Sequence, residues 1–314
     1  MDLGLHTFNH SEVAETDSTA ARTAPGTGGV VERVPPHAYF VVSAVFHYLG
    51  PAFAVLLFAR VDVLGVAWLR IASAAMIFAL WLRPWRTWRR LDPPTRRLLL
   101  GWAATLALMN CCFYLAIDRL PLGTVAAVEF VPVIALAAIG VRTGRNAAAL
   151  AIAVGGVYLL TDARLAAEPL GIALAVANAG LFSVYLVVGH RIAQSPAVRG
   201  IDGLALSMLI AAVIALPIGI TGAVPAFTDP VALAAGIGVG LSSSVVPYVC
   251  DQLAMARLTR HGYALLVSLL PATATLVGVV VLTQIPATAE LVGIVLVVCG
   301  VALHQERRAP ARAA

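Results

Sequence analysis

The chain has 314 residues, 60% hydrophobic and only 12% charged, with a mean hydropathy of +0.90. A soluble domain carries roughly 25% charged residues, so this composition excludes a soluble globular protein and points to an integral membrane protein. The net charge of +5 calls for no nucleic acid as partner, because a basic membrane face against anionic lipid accounts for it.

In chain order, residues 1–37 come first. They are rich in Thr, Ala, Gly and acidic residues, lack the basic start and apolar core of a signal peptide, and read as a disordered cytoplasmic tail. Apolar runs follow at 38–58, 63–83, 97–117, 122–141, 146–161, 169–190, 201–222, 231–255, 263–282 and 289–304. Most approach the 20 or so residues that a helix needs to cross about 30 Å of hydrocarbon. None alternates with period two, which excludes a membrane β-barrel. The expected fold is an all-α polytopic membrane protein of about ten transmembrane helices, since the short run 146–161 also suits a re-entrant helix. Residues 305–314 form a second cytoplasmic tail.

Every one of the 21 basic residues is Arg. With the N-terminus in the cytoplasm, 17 fall on inside segments, Arg60, Arg119 and Arg164 fall outside, and Arg70 lies within the second run. Positive charge marks the cytoplasmic side, so both termini are expected there and the number of crossings is even. Cys111, Cys112, Cys250 and Cys299 lie in or at the ends of apolar runs with neither zinc-site nor disulfide spacing, and read as small core residues.

An internal echo relates two halves. "YLAIDRLPLGTVAAVEFVP" at 114–132 and "QLAMARLTRHGYALLVSLLP" at 252–271 share Leu115/Leu253, Ala116/Ala254, Arg119/Arg257 and Leu120/Leu258, then, after one inserted residue, Gly123/Gly262 and Pro132/Pro271. "AVGGVYLL" and "VVCGVALH" align through Gly156 and Gly300. The matching segments are five runs apart. An odd number of crossings per half inverts one half against the other, so the expectation is two inverted five-helix repeats, 38–161 and 162–304.

Glu129 stands alone as a carboxylate in "LGTVAAVEFVPVIALAAIG". An acidic residue at a helix centre costs about 3 kcal/mol on insertion scales, so it is expected to face a partner or a wet cavity. Pro132 lacks an amide hydrogen and frees the carbonyl of Val128 beside that carboxylate; Pro51, Pro247 and Pro271 free those of His47, Ser243 and Val267. Loosened backbone of this kind is tolerated in a membrane where a cavity or other groups satisfy it. Arg70, deep in its run and permanently charged, needs Glu129 or a substrate carboxylate as counter-charge. Asp251 lies toward the cytoplasmic end of its run and doubles as an interfacial anchor. His47, Tyr48, Asn110, Tyr114, Asn178, Tyr185, the serines 242–244 and Tyr248 add hydrogen-bonding groups, and packing between helices accounts for such groups equally well. No HExxH, GxSxG, P-loop or Cys/His ligand set is present, so neither an enzyme nor a metal site nor a cofactor is expected.

Together with "WLRIASAAMIFAL" at 68–80, "FYLAIDRLPLGTVAAVEFVPVIAL" at 113–136 and "SSSVVPYVCDQLAMARL" at 242–258, the ten runs resemble the EamA branch of the drug/metabolite transporter superfamily, nearest its threonine/homoserine exporter subgroup. Two departures stand out. Leu270 replaces the acid of a common Ser-Leu-Glu-Pro stretch, and Gln284 replaces that of a Gly-Glu before the last run. The resemblance implies a secondary active transporter of the bacterial inner membrane that exports amino acids or related small polar metabolites by alternating access; Glu129, as a desolvated carboxylate, is expected to bind either a coupling proton or a substrate amine. The resemblance also implies that the first, third, fourth, sixth and eighth spans line the cavity. The small-residue fifth and tenth suit a scaffold or a homodimer contact. The alternatives are an exporter of a drug-like or specialised metabolite, which the two lost acids favour, and a non-transporting membrane scaffold.

Overall fold

Helix falls within each of the ten apolar runs. The computed structural model describes residues 34–140, 143–165, 168–193, 198, 200–255, 266 and 269–303. Its elements are α1 (Pro36–Leu57), α2 (Val63–Leu82), α3 (Trp85–Arg90), α4 (Pro93–Ile117), α5 (Leu122–Gly140), α6 (Gly144–Leu165), α7 (Pro169–Ala193), α8 (Gly200–Thr228), α9 (Pro230–Gly240), a π-helical turn (Leu241–Val245), α10 (Val246–Met255), α11 (Leu270–Leu282) and α12 (Thr288–Leu303). No strand occurs among the described residues. By length and composition α1, α2, α4, α7 and α8 are able to cross a membrane, and shorter apolar helices accompany them. Helix is what lipid demands, because it satisfies every interior backbone group within one segment.

Local chemistry sets the ends. Pro36, Pro93 and Pro230 occupy first turns, where a missing amide hydrogen costs nothing. Asp62 accepts the Leu64 amide at 2.9 Å to start α2. Asp229 accepts those of Val231 (2.9 Å) and Ala232 (3.2 Å) to start α9, and pairs with Arg60 at 3.1 Å. The bond from Ala232, followed by those from Val231 and Arg60, holds the Asp229 carboxyl below its ordinary range.

The largest crossings are α2 on α8 and α6 on α12. Both use small residues to bring backbones together. Gly65 lies against the Gly222–Ala223 backbone. A Cβ on Gly156 would sit 2.6 Å from the Gly293 carbonyl oxygen, and one on Gly300 would sit 2.8 Å from that of Ala149. Gly156 of the fifth run therefore meets Gly293 of the tenth, and Gly300 of the tenth meets Ala149 and Ala153 of the fifth, within one molecule. Around these crossings, α4 packs on α7, α1 on the α9–α10 segment, α5 on α7, and α11 on α1.

Two details depart from what the hydropathy profile suggests. Helix α3, with Trp85 and Trp88 among four basic neighbours, lies in what reads as a plain loop; Arg96 stacks its guanidinium over the Trp88 ring at 5.3 Å. Pro51 and Pro132 sit inside α1 and α5, whereas Pro271 sits in the first turn of α11, just after a turn at Leu269. Residues 256–265, which hold much of the second echo segment, and Val267 lie outside the described residues.

Candidate substrate site

Glu129 is buried on α5, only 9% exposed. Its Oε1 accepts a hydrogen bond from Asn178 Nδ2 of α7 at 3.1 Å. Arg70 enters from α2. Its Nη1 donates to Asn110 Oδ1 of α4 at 2.6 Å, its Nη2 donates to the Ser243 carbonyl at 3.4 Å, and its guanidinium carbon lies 5.6 Å from the Tyr114 ring centre. Asn110 is in turn fixed by donating to the Leu106 carbonyl at 2.8 Å. Arg70 and Glu129 are within electrostatic reach of each other but form no direct ion pair. His47 feels the field of Arg70 and Tyr48 that of Glu129. The rings of His47 and Tyr48 meet edge to face at 5.1 Å.

The result is a site with two poles. A cationic pole comprises Arg70, Asn110, Tyr114 and the Ser243 carbonyl; an anionic pole comprises Glu129, Asn178 and Tyr48. Buried polar atoms normally have partners. Here Asn178 Oδ1, Tyr114 Oη and Ser243 Oγ are buried without a hydrogen bond of acceptable geometry, although the last two lie near each other and near Arg70. Unsatisfied atoms at both poles are what a polar ligand bearing both charges would engage.

The π-helical turn explains how Arg70 finds its carbonyl. Pro247 has no amide hydrogen, so the Ser243 carbonyl lacks the partner an α-helix would give it four residues on. Arg70 reaches across from another helix to supply a donor. Such turns recur at functional positions. The turn is held tightly: a Cβ on Gly50 would lie 2.8 Å from Ser242 Oγ, and one on Gly240 would lie 2.7 Å from the Arg70 carbonyl oxygen. Ser43 of α1 donates to the Pro247 carbonyl at 3.2 Å. Three serines followed by a proline are the sequence signal for this irregularity, but not for its π geometry.

Tyr185 belongs elsewhere. It stacks on Trp102 with ring centres 5.1 Å apart, and the Trp102 indole donates to its carbonyl at 3.0 Å, in an apolar cluster with Ile192 and Leu206. Tyr248 and Asp251 lie on α10, but their side chains fall outside the described residues.

Gln284, where the resemblance leads one to expect a carboxylate, has a defined task. Its Oε1 accepts the Leu122 amide at 3.1 Å at the start of α5. That task needs only an acceptor, and an amide oxygen supplies one. Gln284→Ala should lower stability by about 1 kcal/mol, and Gln284→Glu should change it less, as thermal unfolding in detergent would measure. Sequence reasoning also missed Glu290, which is 1% exposed and accepts the Ala287 amide at 2.9 Å to start α12; the signal was an acid three residues after a helix start. Gln284 and Glu290 border a recess of roughly 320 Å³ with Asp118, Arg119, Thr124 and Thr275.

Comparison with known proteins agrees with this architecture. Residues 169–304 match the EamA-like transporter family. The threonine/homoserine exporter RhtA of Salmonella typhimurium strain SL1344 is 32% identical over 238 residues, covering 75% of this chain and 79% of its own. RhtA of Escherichia coli strain K12 is 31% identical over the same shares. A solved crystal structure, at 19% identity, superposes with a TM-score of 0.56 over 85% of this chain and 97% of its own, a likeness of fold. With its apolar helices, its two-poled interior and this kinship, the chain is an integral membrane transporter rather than an enzyme and belongs to the EamA-like transporter family.

Proposed function

We propose that the protein exports small amino acids of the threonine and homoserine type, or closely related polar metabolites, across a bacterial inner membrane. The observation that carries this reading is the pairing of two buried poles of opposite charge, Arg70 and Glu129, held on separate helices without an ion pair between them. A zwitterion complements both at once. The kinship with exporters named for threonine and homoserine favours the same substrates.

Transport by alternating access needs two halves that rock about a central site. We read the helical segments as ten crossings in two inverted repeats, 38–161 and 162–304, with both termini cytoplasmic. The packing supports this reading, because it is nearly symmetric under exchange of each span with the one five further on. Span two pairs with span seven (α2, α8) and span five with span ten (α6, α12). Span three meets six (α4, α7) as span eight meets one (α9–α10, α1), and four meets six (α5, α7) as nine meets one (α11, α1). In this orientation the recess at Thr124 faces outward, about 7 Å along α5 from Glu129, and gives a released substrate its way out. Glu129 is the site for a coupling proton, since a carboxylate taken from water can exchange its proton within a transport cycle.

The test is efflux of labelled threonine and homoserine from preloaded cells. Expression of the protein should accelerate efflux several-fold over empty vector at matched membrane levels. Coinciding curves from abundant, folded protein would exclude these substrates. In that event the second reading, export of a specialised metabolite, gains weight from Leu270, an apolar side chain where the resemblance leads one to expect an acid.

A further inference from the structure

We infer that the Arg70 pole is the seat of the substrate's carboxylate, and that the Ser243 carbonyl occupies this seat until a substrate takes it. The inference rests on the transport reading above and specifies its ligand class: α-amino acids with a free carboxylate.

The two donors of Arg70 are unequal. Nη1 is held at 2.6 Å by Asn110, which is itself anchored to the Leu106 carbonyl. Nη2 makes only a long 3.4 Å contact with the Ser243 carbonyl, at the weak end of hydrogen bonding. An incoming carboxylate brings a full negative charge that the carbonyl lacks, and guanidinium–carboxylate bonds are short, typically about 2.7–2.9 Å, and often bidentate. Exchange of Nη2 from carbonyl to carboxylate is therefore favourable, while Nη1 keeps the guanidinium aimed. Tyr114, whose ring centre lies 5.6 Å from the same guanidinium, and its neighbour Ser243 are 0% and 3% exposed, and neither hydroxyl has a hydrogen bond of acceptable geometry. Each hydroxyl can donate to an anion.

Because residue 247 is proline, the released Ser243 carbonyl cannot regain an α-helical bond from the amide four residues on. It becomes an acceptor for the substrate's ammonium group, which Glu129 also attracts. The substrate thus replaces one bond between two helices with bonds from both its ends. Gly50 and Gly240 leave the π-helical turn no slack against α1 and α2, so the exchange is felt by helices from both halves.

The experiment measures inhibition of labelled threonine efflux by unlabelled threonine and by threoninamide, supplied on the same side of the full-length protein in proteoliposomes. Threoninamide keeps the ammonium and side chain and lacks the carboxylate. In wild type it should compete at least ~10-fold less well than threonine. Pro247→Ala, which restores a donor to the Ser243 carbonyl and removes it as a rival, should lower the half-inhibitory threonine concentration ~3-fold. Arg70→Gln should reduce the discrimination to within ~2-fold. Equal competition by the two compounds, with efflux intact, would overturn the Arg70 seat and leave the transport reading standing. Absence of threonine efflux would overturn the transport reading and this inference with it. The wild-type and Pro247→Ala arms decide the matter even where Arg70→Gln fails to accumulate.

Discussion

Glu129→Gln is expected to reduce efflux at least ~10-fold and to flatten what remains from about pH 5.5 to about pH 8, where the wild type should vary. The substitution isolates charge from packing. Glutamine has nearly the same volume, and its carbonyl oxygen can still accept the bond that Asn178 Nδ2 gives to Glu129. What it lacks is the negative charge that complements an ammonium group and the ability to take and release a proton. Protein abundance and thermal stability should be little changed, because a neutral side chain removes the cost of a buried charge. The other charged and titratable groups near this pole are Arg70, His47 and Tyr48, so His47→Gln is the control. A variant at Glu129 that transports normally with an unaltered pH profile would remove this residue from the mechanism, and a flattened profile in His47→Gln alone would move the proton site there.

Gly65→Leu should abolish the folded protein. At this position α2 meets α8 through backbone, with the Gly222 carbonyl and the Ala223 amide in the space a Cβ would need. No flexible side chain stands there to yield. Overpacking typically costs about 1–3 kcal/mol and occasionally more, and a clash with backbone at one of the two largest crossings lies at the upper end. Gly101→Leu is the matched control, because nothing lies within 4 Å of a Cβ at Gly101. Size-exclusion profiles in mild detergent should show a monodisperse peak for the Gly101 variant and aggregation or loss for the Gly65 variant. A monodisperse, thermally stable Gly65→Leu protein would show that α2 and α8 can separate without unfolding.

Much of the helical framework is legible in the sequence, because lipid leaves a long apolar run no alternative but helix. Helix ends agree with the apolar runs to within a few residues except at α4, which begins at Pro93, at α6, at α8, which runs on to Thr228, and at α11, which begins at Leu270 in a run read from 263. Amphipathic α3 escaped notice because hydropathy averages its tryptophans against its arginines. The buried charges of the site were equally visible, since Glu129 and Arg70 stand out against apolar surroundings. Their partners were not. That Asn110 receives Arg70 and Asn178 serves Glu129 depends on how helices rotate against one another, which no single run encodes. Tyr185 shows the converse: a polar residue in an expected lining helix that packs against Trp102 instead.

The two largest crossings carry a consequence for how the molecule is made. Each joins an early helix to a late one, α2 to α8 and α6 to α12. A ribosome delivers α2 and α6 to the bilayer long before their partners exist, so their glycine faces must wait against lipid. Export competence cannot accrue helix by helix. It awaits Thr288–Leu303, whose docking on α6 completes the second crossing after α2 and α8 have already met.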